Sequence, residues 1–295
     1  MLLIKGAFAK EPFWIKIFLF FFLSVFGLLI GGLLCYVLFQ KSQGIDALRW
    51  SQFIISLASF CLPAFISALI FQRSLLTFLR ADKYPSFIFI FLAIFAMILF
   101  QPVINLISSW NQQLQLPAFM SGLYKAMQSM EASANDLTRQ FLAQQKTKDL
   151  FVNIFFLALI PAITEELFFR GTLLRLLEEK MSVNWSIWIV AIIFSTYHMQ
   201  FFGFVPRILL GALLGYIVVW SHSLYLGMFA HFINNAGFIL FSYLSANHYI
   251  AFDVETLGVS CNQWWITVST FLVASLLIFF MYKEFKSGKG QSNPS

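Results

Sequence analysis

Eight stretches of this chain are long and apolar enough to be read as membrane helices, and little else in the sequence constrains its fold so tightly. A helix rises about 1.5 Å per residue, so about 20 apolar residues cross a bilayer core. Runs of this kind fall at 14–39, 53–71, 87–106, 150–177, 185–198, 206–220, 224–244 and 264–282. They cannot be hidden in an aqueous core: 60% of the 295 residues are hydrophobic and 11% charged, and the 38 Phe outnumber the 19 basic and 13 acidic residues together. The expected fold class is all-α, a polytopic membrane protein of about eight transmembrane helices. Secreted disulfide scaffolds, nucleic-acid modules and disordered chains are excluded, and no nucleic-acid partner is expected despite the net charge of +6. Cys35, Cys61 and Cys261 read as small hydrophobes. The first run is too long for a signal-peptide core and has no A-x-A-like exit, so it is expected to be retained as a helix.

The polar stretch 108–149 carries Gln112, Lys125, Glu131, Arg139 and Gln144, yet Phe119, Leu123, Met127, Met130, Leu137 and Phe141 recur at helical spacing. One amphipathic helix lying at the interface is predicted there. The organisation is then N-terminal helices plus amphipathic helix over 1–149, a helical core over 150–282 and a polar tail over 283–295, all in one membrane domain. Gly27/Gly31 and Gly211/Gly215 have the GxxxG spacing that permits close helix approach.

With eight crossings both ends share a side. Lys5, Lys10, Lys16, Arg73, Arg80, Lys83, Arg170, Arg175, Lys180, Lys283, Lys286 and Lys289 fall on that side, twelve of the nineteen basic residues. Basic residues favour the cytoplasm, so a cell-membrane protein with cytoplasmic termini is expected.

The densest ionisable group inside the spans is Thr164-Glu165-Glu166-Leu167-Phe168-Phe169-Arg170. A central charge costs about 2.5 to 3.5 kcal/mol, while Leu, Ile, Phe and Val each return about 0.3 to 0.6. Two carboxylates therefore offset most of what the run gains, and something must justify them. Glu166 and Arg170 stand at i and i+4 and suit a structural ion pair. Glu165 points about 100° away and needs a cavity or a partner of its own. His198 and His231, the latter with Asn235 at i+4, are the available partners. By helix rise, Glu165, His198 and His231 lie about 18, 20 and 10 Å from the cytoplasmic face, so three helices are expected to form one polar cavity open to the cytosol. A carboxylate beside two imidazoles can activate water while His or Asn stabilises an oxyanion. The same Glu165, His198 and His231 could alternatively hold a divalent metal such as Zn²⁺ with an open position. His222 and His248 read as surface residues.

Glu165-Glu166-x-x-x-Arg170, Phe194-x-x-x-His198 and His231-x-x-x-Asn235, in this order on successive helices, resemble the CPBP family of CAAX proteases and bacteriocin-processing enzymes, also called Abi. The resemblance covers about 150–244. It implies an intramembrane endopeptidase like the type II CAAX prenyl proteases, acting on a peptide or protein substrate within membrane lipid. It further implies Glu165 as the base for water, His198 and His231 as groups orienting water or stabilising the oxyanion, Asn235 as an assistant, and Glu166 with Arg170 as supports. Both a metalloendopeptidase label and a metal-free glutamate mechanism are associated with the family. The competing classes are a non-catalytic membrane scaffold or bacteriocin-immunity protein, and a proton-coupled carrier using Glu165, although no repeated halves are present.

Overall fold

In the computed structural model, residues 5–42, 44–143, 146–251 and 256–288 are described; Gln144, Lys289 and the rest of the tail lie outside them. The described residues form helices joined by turns and loops, with no strand. The helices are α1 (Phe13–Phe39), α2 (Ile45–Phe71), α3 (Phe87–Gln112), α4 (Ser121–Leu142), α5 (Thr147–Glu178), α6 (Val183–Tyr197), α7 (Phe204–Ser221), α8 (Leu224–Ala246) and α9 (Trp264–Lys286). Among the described residues seven helices have the length and composition of membrane spans: α1, α2, α3, α5, α7, α8 and α9. The protein is an all-α, integral membrane protein.

The expected eighth span, 185–198, is a shorter apolar helix. At 15 residues α6 is about 22 Å long, less than the roughly 30 Å hydrocarbon core. It ends because Met199 turns left-handed, at φ 53°, and a single 3-10 turn at Phe201–Gly203 leads straight back into α7. The predicted amphipathic helix is also corrected. Pro117 interrupts 108–149, so α3 keeps its end to Gln112, α4 stands alone and α5 begins at Thr147. α2 starts eight residues before the apolar run does because buried Arg49 is satisfied there: its Nη2 donates to Asn153 Oδ1 at 2.7 Å and its Nη1 to Asp46 at 2.8 Å.

Two Pro residues reshape their helices. Pro63 and Pro161 cannot donate to the i−4 carbonyl, and a widened π-helical turn precedes each, at Leu57–Cys61 and Ile154–Leu159. A third π segment, Leu167–Leu173, follows the paired glutamates.

Outward faces are those of a lipid-solvated protein. Trp14, Trp110, Trp185, Trp264 and Trp265 are exposed at helix ends, where indole rings sit at a membrane interface. Inward, the GxxxG glycines do what their spacing suggests. A Cβ on Gly27 would overlap the Ala58 carbonyl, and one on Gly211 would lie 3.2 Å from Ala191 Cα. α1 is tied to α5 by Lys16 Nζ on Glu179 at 2.9 Å and by Phe20 against Phe168, ring centroids 4.4 Å apart.

One end of the bundle gathers the starts of α1, α3, α6 and α8 and the ends of α2, α5, α7 and α9; there Arg80 Nη2 meets Glu178 at 2.9 Å. Burial in this corner pulls the Arg80 guanidinium below its ordinary value, with Glu178 opposing that pull. The opposite end carries α4.

Candidate active site

The sequence assigns Glu166 to Arg170 and leaves Glu165 to the histidines, and the structure joins the two arrangements through one ring. On α5, Glu166 Oε1 accepts from Arg170 Nη1 at 2.6 Å, and both side chains are completely buried. The same oxygen accepts from His231 Nδ1 at 3.0 Å, across from α8. Because a carboxylate accepts, His231 carries its proton on Nδ1, and Nε2 is turned the other way. There Nε2 stands 3.9 Å from Glu165 Oε2. That gap is too wide for a direct hydrogen bond, and one water at about 2.8 Å from each atom would bridge it. Glu165 is 14% exposed where Glu166 is at 0%; the first glutamate is accessible from outside the packed side chains and the second is not.

Arg170 also donates from Nη2 to the Gly211 carbonyl at 2.8 Å, the close approach that glycine allows on α7. Gly227 on α8 completes the cradle: a Cβ there would overlap Val218 and sit 3.1 Å from Glu166 Oε2. A small residue at this point lets the second carboxylate lie flat between α7 and α8.

His198 caps the end of α6, and its Nδ1 donates to the Phe194 carbonyl at 2.8 Å, leaving Nε2 outward. Phe194 organises the centre. Its ring meets His198 at 4.8 Å and His231 at 6.0 Å between centroids, and the Arg170 guanidinium lies over it at 4.7 Å. Both histidines therefore pack against the same ring. Asn235 lies one turn beyond His231 on α8. No hydrogen bond joins it to the other candidates among the described residues; its Oδ1 accepts from Asn234 Nδ2 at 3.2 Å, which frees its own Nδ2 to donate.

Toward the basic end, Phe168, Phe169, Leu173, Leu174 and Leu176 follow Glu165 along α5, each at most 1% exposed.

A zinc site in this chemistry uses three protein ligands and an open position. Among the described residues no three His, Cys, Asp or Glu side chains group as a ligand set. Glu165 Oε2 and His231 Nε2 stand 3.9 Å apart, and His198, bonded through Nδ1 to a carbonyl, has Nε2 as its remaining ring nitrogen.

The sequence reading missed Arg207. A charge at the start of the run 206–220 is itself a signal, and the structure places it in the first turn of α7 with Nη2 donating to Gln200 Oε1 at 2.9 Å.

Residues 147–237 match the family described as Type II CAAX prenyl endopeptidase Rce1-like. The match spans 91 of the 295 residues and contains all six candidate residues, from Glu165 to Asn235. At family level this segment is similar to CAAX-protease-like intramembrane endopeptidases. No curated protein and no solved structure matches the chain.

Proposed function

We propose that the protein is an intramembrane endopeptidase that hydrolyses a peptide bond with water activated by Glu165. The observation that carries the reading is the His231 ring held between two glutamates, Nδ1 on Glu166 at 3.0 Å and Nε2 facing Glu165 at 3.9 Å. Water bound between Glu165 Oε2 and His231 Nε2 gives up a proton to the carboxylate as its oxygen attacks the substrate carbonyl. The tetrahedral oxyanion takes hydrogen bonds from Asn235 Nδ2 and from a His198 imidazolium that has taken its second proton, on Nε2, from solvent before the substrate binds and keeps it through the cycle. Glu165 then returns the proton to the leaving amine, so the cycle balances without a covalent intermediate. Glu166 fixes the His231 tautomer and ring orientation, and Arg170, 2.6 Å from Glu166 Oε1, holds that carboxylate in place.

The substrate is a peptide or protein segment within membrane lipid, reaching the site from the α4 side or between helices. The basic end of the bundle, with Phe13 of α1 and Lys286 of α9, is the cytoplasmic end on the distribution of Lys and Arg.

The test is Glu165→Gln in the full chain reconstituted in liposomes. The amide keeps the shape and removes the base, so cleavage falls by about 10² or more while the unfolding temperature stays at that of the parent. A folded Glu165→Gln protein that cleaves at the parent rate would sink the reading and favour a scaffold.

A further inference from the structure

The turn between α6 and α7 is held by side chains of other elements. α7 begins poorly provided for: Gly203 at its N-cap has no side chain to accept from the first amides, and Pro206 in its first turn has no N–H. The accepting group comes from α3. Asn111 Oδ1 takes the Val205 N–H at 2.8 Å, from 94 positions away, and its Nδ2 donates to the Phe201 carbonyl at 3.0 Å. From α6, Ser195 Oγ donates to the Phe204 carbonyl at 2.7 Å. Asn111 is 1% exposed, whereas its neighbour Trp110 is 53% exposed. α3 thus runs past its apolar part 87–106 and turns one polar side chain inward onto this turn.

The turn is the continuation of His198. That residue is the C-cap of α6, its backbone N–H bonded to the Ser195 carbonyl at 3.3 Å, and left-handed Met199 takes the chain out of the helix. A helix end frays where nothing beyond holds it. Here the chain beyond is pinned by Asn111 and Ser195. The Nδ1 bond of His198 to the Phe194 carbonyl, at 2.8 Å, joins residues four apart and needs the last turn of α6 intact.

We propose that Asn111 is a positioning residue for His198: by pinning 201–205 it holds the end of α6, which keeps Nδ1 on Phe194 and leaves Nε2 for the oxyanion. The inference rests on the endopeptidase reading and deepens it. It also places part of the site's support on α3, outside the matched residues 147–237.

The experiment uses the full chain with 15N-labelled histidines, in micelles for spectra and in liposomes for cleavage of an N-acylated fluorogenic apolar hexapeptide. Imidazole nitrogen spectra are taken at about pH 8, above the ordinary histidine value, and assigned with His198→Gln and His231→Gln. The parent should show His198 as one fixed Nδ1–H tautomer. Asn111→Ala should convert that signal to the averaged shift of mixed tautomers and leave the His231 signal in place. Asn111→Asp keeps an acceptor for the Val205 N–H and should restore part of the fixed signal. In Asn111→Ala, kcat should fall about tenfold or more with KM within about twofold, the pattern of a misplaced group that acts in the transition state. Should Asn111→Ala fail to fold, Ser195→Ala serves: it removes the bond to Phe204 and should disturb the same His198 signal.

An unchanged His198 signal in the variant that folds overturns the proposal. So does a signal that shifts only together with His231, a parent-like kcat, or no recovery in Asn111→Asp. Failure of the endopeptidase reading appears separately, as cleavage that persists in Glu165→Gln or is missing in the parent, and the spectra then still decide the role of Asn111.

Discussion

Replacing Glu166 with Gln tests whether the second glutamate is a structural charge that the site depends on. Glu166 Oε1 holds both Arg170 and His231, and the three side chains are between 0% and 4% exposed. The amide still offers an acceptor but no charge, so Arg170 keeps only the Gly211 carbonyl at 2.8 Å as a strong partner in an apolar surrounding. Breaking a buried ion pair by removing one charge costs about 3 to 5 kcal/mol, and the retained acceptor puts this case near 3. At about 2 to 4 °C per kcal/mol for a chain of this size, the unfolding temperature should drop by about 6 to 12 °C. Thermal unfolding in detergent, read by intrinsic Trp fluorescence, measures it. The double variant Glu166→Leu, Arg170→Met removes both charges and should regain part of that loss, since apolar replacements of a buried pair are often tolerated. Activity should be lowered in both variants, because His231 Nδ1 has lost the charged acceptor that orients it. A Glu166→Gln protein unfolding within about 2 °C of the parent would refute the reasoning, since it would show that Arg170 needs no buried counter-charge.

Gly227→Ala should cost about 1 to 3 kcal/mol through overpacking and reduce activity, because its methyl group would crowd Val218 and Glu166 Oε2; unchanged unfolding and turnover would count against the cradle. At the basic end, burial and then the positive charges of Arg80 and Lys83 push the His222 imidazole below its ordinary value of 6.5. The unfolded chain then takes up a proton more readily than the folded one, so the His222 contribution is complete above pH 6.5 and is lost as pH falls from there toward the lowered folded value. His222→Asn tolerates the left-handed φ of 53° at this position, and should flatten the fall in unfolding temperature between about pH 7.5 and 5.5. Single cysteines at Lys10 and Lys289, in a chain freed of Cys35, Cys61 and Cys261, should both label from the cytoplasmic side; labelling from opposite sides would reject an even number of crossings.

Apolar run length alone determined that this chain is an all-helical membrane protein, because an uninterrupted 20-residue apolar stretch has no other stable solution. It also exposed Glu165, Glu166 and Arg170, since charges within such a stretch are costly enough to stand out, and the i, i+4 spacing gave the Glu166–Arg170 pair correctly. The GxxxG pairs were equally legible, being local features of one helix face. What the sequence could not carry was the relation between helices. His231 lies 65 positions from Glu166, and whether its ring meets one glutamate, the other or both depends on how α8 is rotated and raised against α5. Those rotations are set by the π-helical turns that shift the helical register and by glycines whose value lies in the backbone opposite them. Helix rise placed Glu165 about 18 Å from the basic end, but only the tertiary structure shows Phe168, Phe169, Leu173, Leu174 and Leu176 buried beyond it on α5. Arg207 meets Gln200 and lies over Gly203, two residues that no periodicity links to it. Period and length are properties of a single helix, whereas a site assembled from α5, α6, α7 and α8 exists only once their side chains have packed.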